Sequence, residues 1–153
     1  MSSLTVRTLL KDFIATKLPA EVLIDLSDEV GEFQELVEAA GLEYTVDKWL
    51  GIDFIGFDEY PVDILATNTT GCYREDGTVM LFIVEPMNST GSPRDKILIR
   101  AESIMNAFRG ERISSLIIHR ISPANFKAES NVSFEGGYTS AMISIDFHND
   151  KNL

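Results

Sequence analysis

Between Gly77 and Gly110 an apolar run, a polar stretch and a helical apolar stripe follow one another directly. Thr78 to Val84 is an apolar run, too short for a helix and rich in β-branched residues, which predicts a central strand covered on both faces. Pro86 ends it, and Asn88, Ser89, Gly91 and Pro93 make Met87–Asp95 a loop. Ile97, Ala101, Ile104, Met105 and Phe108 then recur at helical spacing. Ser92 or Asp95 is placed to cap that helix and Gly110 to stop it.

The rest of the chain divides by the same criteria. Val6, Leu9, Leu10, Phe13 and Ile14 form one stripe of a helix over Leu4–Lys17, and Pro19 lies just beyond it. Ala20–Leu26 is short and apolar, and the pattern assigns it no state. Ser27 reads as the N-cap of a second helix, with Asp28 and Glu29 in a first turn where negative charge suits the dipole. Phe33, Leu36, Val37 and Ala40 form its face and Gly41 closes it.

From Tyr44 onward the period shortens. Trp49–Phe57 predicts a strand bent or bulged at Gly51 and Gly56. Asp58–Pro61 reads as a turn, Val62–Thr67 as a short strand, and Asn68–Gly77 as a polar hairpin connection. Ile113–Ile121 predicts a strand, and Ser122–Gly136 a long loop carrying Pro123, Asn125, Asn131 and Gly136. Tyr138–Phe147 reads as a half-exposed strand, because Ala141, Ile143, Ile145 and Phe147 alternate with Ser140, Ser144 and Asp146. Asn149–Leu153 is left as a tail. The resulting expectation is one α+β domain over residues 1–153, a mainly antiparallel sheet with helices packed on it.

Charge narrows the function. A net charge of −11 argues against a protein that grips nucleic-acid backbones or docks on an anionic membrane. The single cysteine, Cys72, excludes an internal disulfide and a cysteine-based zinc site. Arg7 and Lys11 interrupt the first helix where a secretory signal would be apolar, and no run reaches the length of a membrane span. The chain therefore reads as cytosolic, made in the cytoplasm. The Asn-x-Ser/Thr triplets at Asn68, Asn88 and Asn131 then read as chance features of polar loops.

Catalytic chemistry is hard to find. Asp58-Glu59 and Glu75-Asp76 read as solvated turns, since adjacent residues point apart. Asp63 and Glu85 suggest a Mg²⁺-holding nuclease pair, but Pro86 and Met87 follow Glu85 where such a site needs a lysine. His119 and His148 have no partner at ligand spacing, so each reads as structural or surface. Cys72 has only Arg74 as a basic neighbour and reads as inert. Gly91 and Gly136-Gly137 do not form a phosphate loop. The sequence therefore implies no enzyme, metal or cofactor. Its distinguishing feature is three polar loops on a small sheet, 68–77, 87–95 and 122–136, and protein–protein contact is their natural use.

The layout resembles the tail terminator proteins of long-tailed bacteriophages. The likeness is carried by the helix Thr5–Lys17, the aromatic strand after Trp49 and the strand Gly77–Pro86. The Met87–Asp95 loop, the helix ending Asn106-Ala107-Phe108-Arg109-Gly110 and the closing strand Gly137–Ile143 complete it. The helix expected over Asp28–Ala40 is additional to the compact members. The resemblance implies a non-enzymatic structural protein of the virion tail, forming a ring of six subunits that caps the tail tube. The ring would end tube polymerisation, meet the head connector or stopper, and let DNA pass without gripping it. A related neck or tail-tube component is the alternative, and a small nuclease-like enzyme the more distant one. Met87, Asn88, Ser89, Thr90 and Arg94 of one loop, with Asn125 and Phe126 of another, are the expected contact residues.

With no basic stripe in the sequence, binding of duplex DNA at physiological salt should be weaker than nanomolar; a gel shift in that range would contradict the reading.

Overall fold

Alternation along three long strands builds the molecule. The computed structural model describes residues 3–26, 33–61, 72–87, 90–109, 111–113, 116–126 and 137–152. Among the described residues three helices, α1 (Ser3–Lys17), α2 (Phe33–Ala39) and α3 (Pro93–Phe108), accompany six strands. The strands are β1 (Leu23–Asp25), β2 (Trp49–Pro61), β3 (Cys72–Pro86), β4 (Arg112–Ile113), β5 (Leu116–Ile121) and β6 (Tyr138–Asn152). They form one sheet in the order β1-β2-β3-β6-β5-β4. Only β1 and β2 run parallel; the other pairs are antiparallel. The fold is the α+β arrangement expected.

Because side chains alternate, each strand serves two cores. Leu50, Ile52 and Phe54 of β2, Val79, Leu81 and Ile83 of β3, and Ala141, Ile143, Ile145 and Phe147 of β6 share one face. The stripes Val6–Leu10–Ile14 of α1 and Ile97–Ala101–Ile104–Phe108 of α3 cover it. The Phe13 and Phe108 rings meet at 4.8 Å between the helices. On the opposite face Trp49, Phe82, Val84 and Tyr138 pack with Ile24, Leu26 and Val37 of α2. Two-sided coverage explains why Thr78–Val84 reads as apolar at nearly every position. Truncating Leu81 or Ile83 to Ala should cost about 2–5 kcal/mol.

Several expectations change. Asp58–Pro61 is not a turn, and Cys72–Gly77 is not a loop. Both are strand, with Asp58 opposite Asp76, Glu59 opposite Glu75 and Pro61 opposite Tyr73. Their polar composition is overridden by a complete ladder on β3's other side, where β6 continues through Asn152, opposite Cys72. The tail expected from Asn149 is therefore strand as far as Asn152, and Asn149 is fully buried. Ile113–Ile121 is not one strand but the antiparallel pair β4 and β5. The unassigned Ala20–Leu26 holds β1. Helix α3 begins earlier than its apolar stripe, at Pro93 behind the N-cap Ser92. The Gly56 bulge is present, as a register shift between Phe54 and Gly56. Gly51 instead keeps regular pairing with Phe82, and its role is space: a Cβ there would lie 2.7 Å from Leu26 Cδ1 and 3.0 Å from Trp49 Cζ3. The expected Ser27 cap and first turn at Asp28 and Glu29, the strand Val62–Thr67, and positions 68–71, 114–115 and 127–136 lie outside the described residues.

One buried cation joins the layers. Arg100 of α3 donates to Glu21 Oε1 at 2.9 Å and Oε2 at 2.5 Å, to Glu85 Oε1 at 3.3 Å, and to the carbonyls of Val84 and Trp49 at 2.9 and 3.0 Å. Arg100, Glu21 and Glu85 side chains are all under a tenth exposed. Arg100→Ala leaves two buried carboxylates without that partner and should lower stability by about 3–5 kcal/mol in urea unfolding. Lys11→Ala removes an ion pair to Asp25 that is far more exposed and should cost under about 1 kcal/mol.

A second corner carries a pH dependence. The Tyr138 hydroxyl accepts the Thr45 amide at 2.7 Å and donates to the Asp47 carbonyl at 3.4 Å. Burial raises its pKa above the ordinary 10.0, partly countered by the Thr45 hydrogen bond. A raised folded value means that the contribution is complete below the unfolded pKa and is lost as pH climbs through the folded one. Stability of the native protein should fall above pH 10 more steeply than that of Tyr138→Phe, as read by melting temperature across alkaline buffers.

Candidate functional site

Two groups of side chains stand apart from the core. The first lies where β3 ends and β6 begins. The Met87 amide donates to the Gly137 carbonyl at 2.8 Å, so the loop leaves β3 from a fixed base. Gly137 holds φ +109°, and a Cβ there would come within 2.8 Å of Thr45 Cγ2. The Met87 side chain is 58% exposed, and Thr90 is exposed as well. Asn125 forms a two-way backbone bridge with Met142 at 2.9 and 3.0 Å. Next to it, the Phe126 ring carries the Arg94 guanidinium 4.3 Å above its centre. Arg94 and Phe126, expected on separate loops, are thus in contact. Asn88 and Ser89 lie outside the described residues.

Sequence reasoning missed two exposed apolar residues that follow Arg94 on the same helix. Leu98 and Ile99 of α3 are 46% and 67% exposed, while Ile97 is buried. The signal is the triplet Ile97-Leu98-Ile99. At about 100° per residue, three successive side chains fan over about 200° of the helix, more than an ordinary apolar stripe buries.

The second group is polar and lies on the sheet face opposite α1 and α3. Asp76 of β3 is directly across from His148 of β6, and β6 pairs in turn with β5. Between Ile118 and Arg120 the β5 ladder slips by one residue, and the extra residue is His119. A bulge re-aims the side chain it carries. Nε2 of His119 meets Nδ1 of His148, with ring centres 4.1 Å apart. The histidines that lacked a partner along the sequence have one in space. One ligand atom each from Asp76, His119 and His148 lies within 4.8 Å of the others. His148 is buried, Asp76 half-buried and His119 exposed, so the group opens to solvent through His119. Beside it, Thr78 donates to Asp146 Oδ1 at 2.7 Å.

A pocket of about 180 Å³ next to β5 is lined by Met105, Arg109, Ile118, His119, Arg120 and Ile121. Glu85 points into the core toward Arg100, which leaves it unsuited to hold a solvent-accessible Mg²⁺. Asp63 lies outside the described residues, and Cys72 sits opposite Asn152 in the ladder. No helix among the described residues is long and apolar enough to cross a membrane. No protein-family model matches the chain, and no curated protein matches it.

The bulge makes a specific demand. Deleting His119 leaves Ile118 opposite Phe147 and Ile121 opposite Ile145, a continuous ladder, so the variant should stay folded and lose only a few degrees in melting temperature. Deleting Ile118 instead sets His119 against Phe147 on the core face and should cost about 2 kcal/mol or more.

Proposed function

We propose that this chain is a non-enzymatic structural adaptor of a bacteriophage tail, a terminator or closely related neck component that assembles as a ring on the tail tube. The observation that carries the reading is the outward-facing pair Leu98–Ile99 on a rigid helix, with Met87, Thr90 and the Arg94–Phe126 contact marking the loop end of the sheet. Apolar side chains held at this exposure by a buried opposite face suit a permanent interface better than an isolated surface. The occupant proposed is a second copy of the chain, repeated around a ring of six. The tube protein would lie on one side of the ring and the head connector or stopper on the other. DNA would pass through the lumen past an acidic protein that does not hold it. The element order α1, β2–β3, loop, α3, β5–β6 also follows the layout on which the resemblance rests.

The loop and helix face can be tested separately from the fold. Replacing Met87–Gly91 with Gly/Ser keeps the Ser92 cap, and Leu98→Glu with Ile99→Glu alters only exposed positions. Both variants should melt within a few degrees of the native protein. Both should fail to form rings with tail-tube protein in negative-stain images, and in infected cells should leave tails of abnormal length and unjoined heads. Normal tails and joined particles with folded variants would overturn the assignment.

A further inference from the structure

We propose that Asp76, His119 and His148 form a binding site for one divalent transition-metal ion of the Zn²⁺ class, clamping β5 to β6 and β3. The proposal is independent of the adaptor reading.

Three strands neighbouring in the sheet each contribute one donor. Asp76 and His148 share a rung of the β3–β6 ladder, which fixes them side by side on one face. His119 reaches the same spot because the bulge supplies one residue more than the ladder needs. Four-coordinate Zn²⁺, with metal–nitrogen and metal–oxygen distances near 2.0–2.2 Å, sets its ligand atoms about 3.4 Å apart. The three donors lie within 4.8 Å of one another, with the two imidazole nitrogens in direct contact, so a bound ion would part the imidazoles and take a place between them and the carboxylate. Two neutral imidazoles and one carboxylate favour Zn²⁺, Co²⁺ or Ni²⁺ over Mg²⁺ and Ca²⁺, which take oxygen. The net charge of −11, with Asp146 two residues from His148 on the same face, favours a cation there.

Among the described residues three protein donors converge, and the exposed one is His119. The fourth coordination position therefore faces solvent and is filled by water or by a donor from another molecule. The clamp acts on β5 beyond the two rungs it shares with β4, where its neighbour on the sheet is β6.

The test uses the full chain after dialysis against chelator. Titration with ZnCl₂ should show one equivalent bound by calorimetry. At a hundredfold excess of free ion over Kd the melting temperature should rise by roughly 5–10 °C, and equal MgCl₂ should not raise it. His119→Ala changes an exposed residue and should stay folded while losing the calorimetric binding and the thermal shift. Asp76→Asn should weaken binding at least tenfold. Co²⁺ should give the visible absorption of a low-symmetry site in the native chain and not in His119→Ala. Absence of saturable Zn²⁺ binding, a Mg²⁺ shift equal to that of Zn²⁺, or unchanged binding in folded His119→Ala would each overturn the proposal.

Discussion

Arg100 is the point at which the layers of this protein meet. Its guanidinium reaches the segment before β1 through Glu21, the first residue of β2 through the Trp49 carbonyl, and the end of β3 through Val84 and Glu85. A planar fork of donors suits this task, since the two carboxylates and two carbonyls converge from separate directions. Burying three charges carries a desolvation cost that apolar packing would avoid. In return, the polar site accepts one arrangement of helix and strands. A shift of α3 by one turn toward Ile104 would leave Glu21 and Glu85 facing hydrocarbon, and the opposite shift would replace the fork with the single ammonium of Lys96. The parallel pairing of β1 with β2 starts beside this contact, and so does the α3 face whose outward side exposes Leu98 and Ile99.

Away from that anchor the sheet is held by other means. Among the described residues, neither apolar cluster includes any of β3 before Val79, yet β3 stays paired on both sides back to Tyr73. The rungs in that stretch pair Asp58 with Asp76 and Glu59 with Glu75. Backbone hydrogen bonds to β6 on the other flank hold the strand in place, and buried Asn149 and His148 continue that support. The polar cluster around Asp76 therefore occupies the part of the sheet that depends least on hydrophobic packing.

How legible this was in the sequence depended on which force fixed each element. α1, α3 and the apolar centre of β3 were readable because their side chains face one core at a regular period. The polar ends of β2, β3 and β6 were not. Asp58, Glu59, Glu75 and Asp76 carry turn-like composition, and their strand state comes from partners remote in the chain. β1 escaped for the same reason, since three residues pairing with Leu50–Ile52 have no period of their own. Met87, Thr90, Asn125 and Phe126 lie in loops as expected, whereas Arg94, expected in the Met87–Asp95 loop, stands in the first turn of α3 and meets Phe126 from there. Leu98 and Ile99 were missed, although the triplet Ile97-Leu98-Ile99 carries more hydrophobicity than one buried stripe uses. The His119–His148 contact had no such signal, because it arises from a one-residue slip in strand register.

The long β3–β6 ladder also bears on how the chain reaches this state. Its partners are far apart in sequence: Thr78 and Asp146, joined by their side chains, are separated by 68 residues. A ladder of that kind closes only after the intervening chain, α3 and β5 included, has been gathered in, and such non-local closure slows folding. Until β6 arrives, the apolar run Thr78–Val84 has one unpaired edge, a template for any other extended chain. The hairpin with β2 protects the other edge early, because β2 immediately precedes β3 in the order of strands. Intermolecular pairing at the free edge of β3 thus competes with correct folding, and that competition grows with protein concentration.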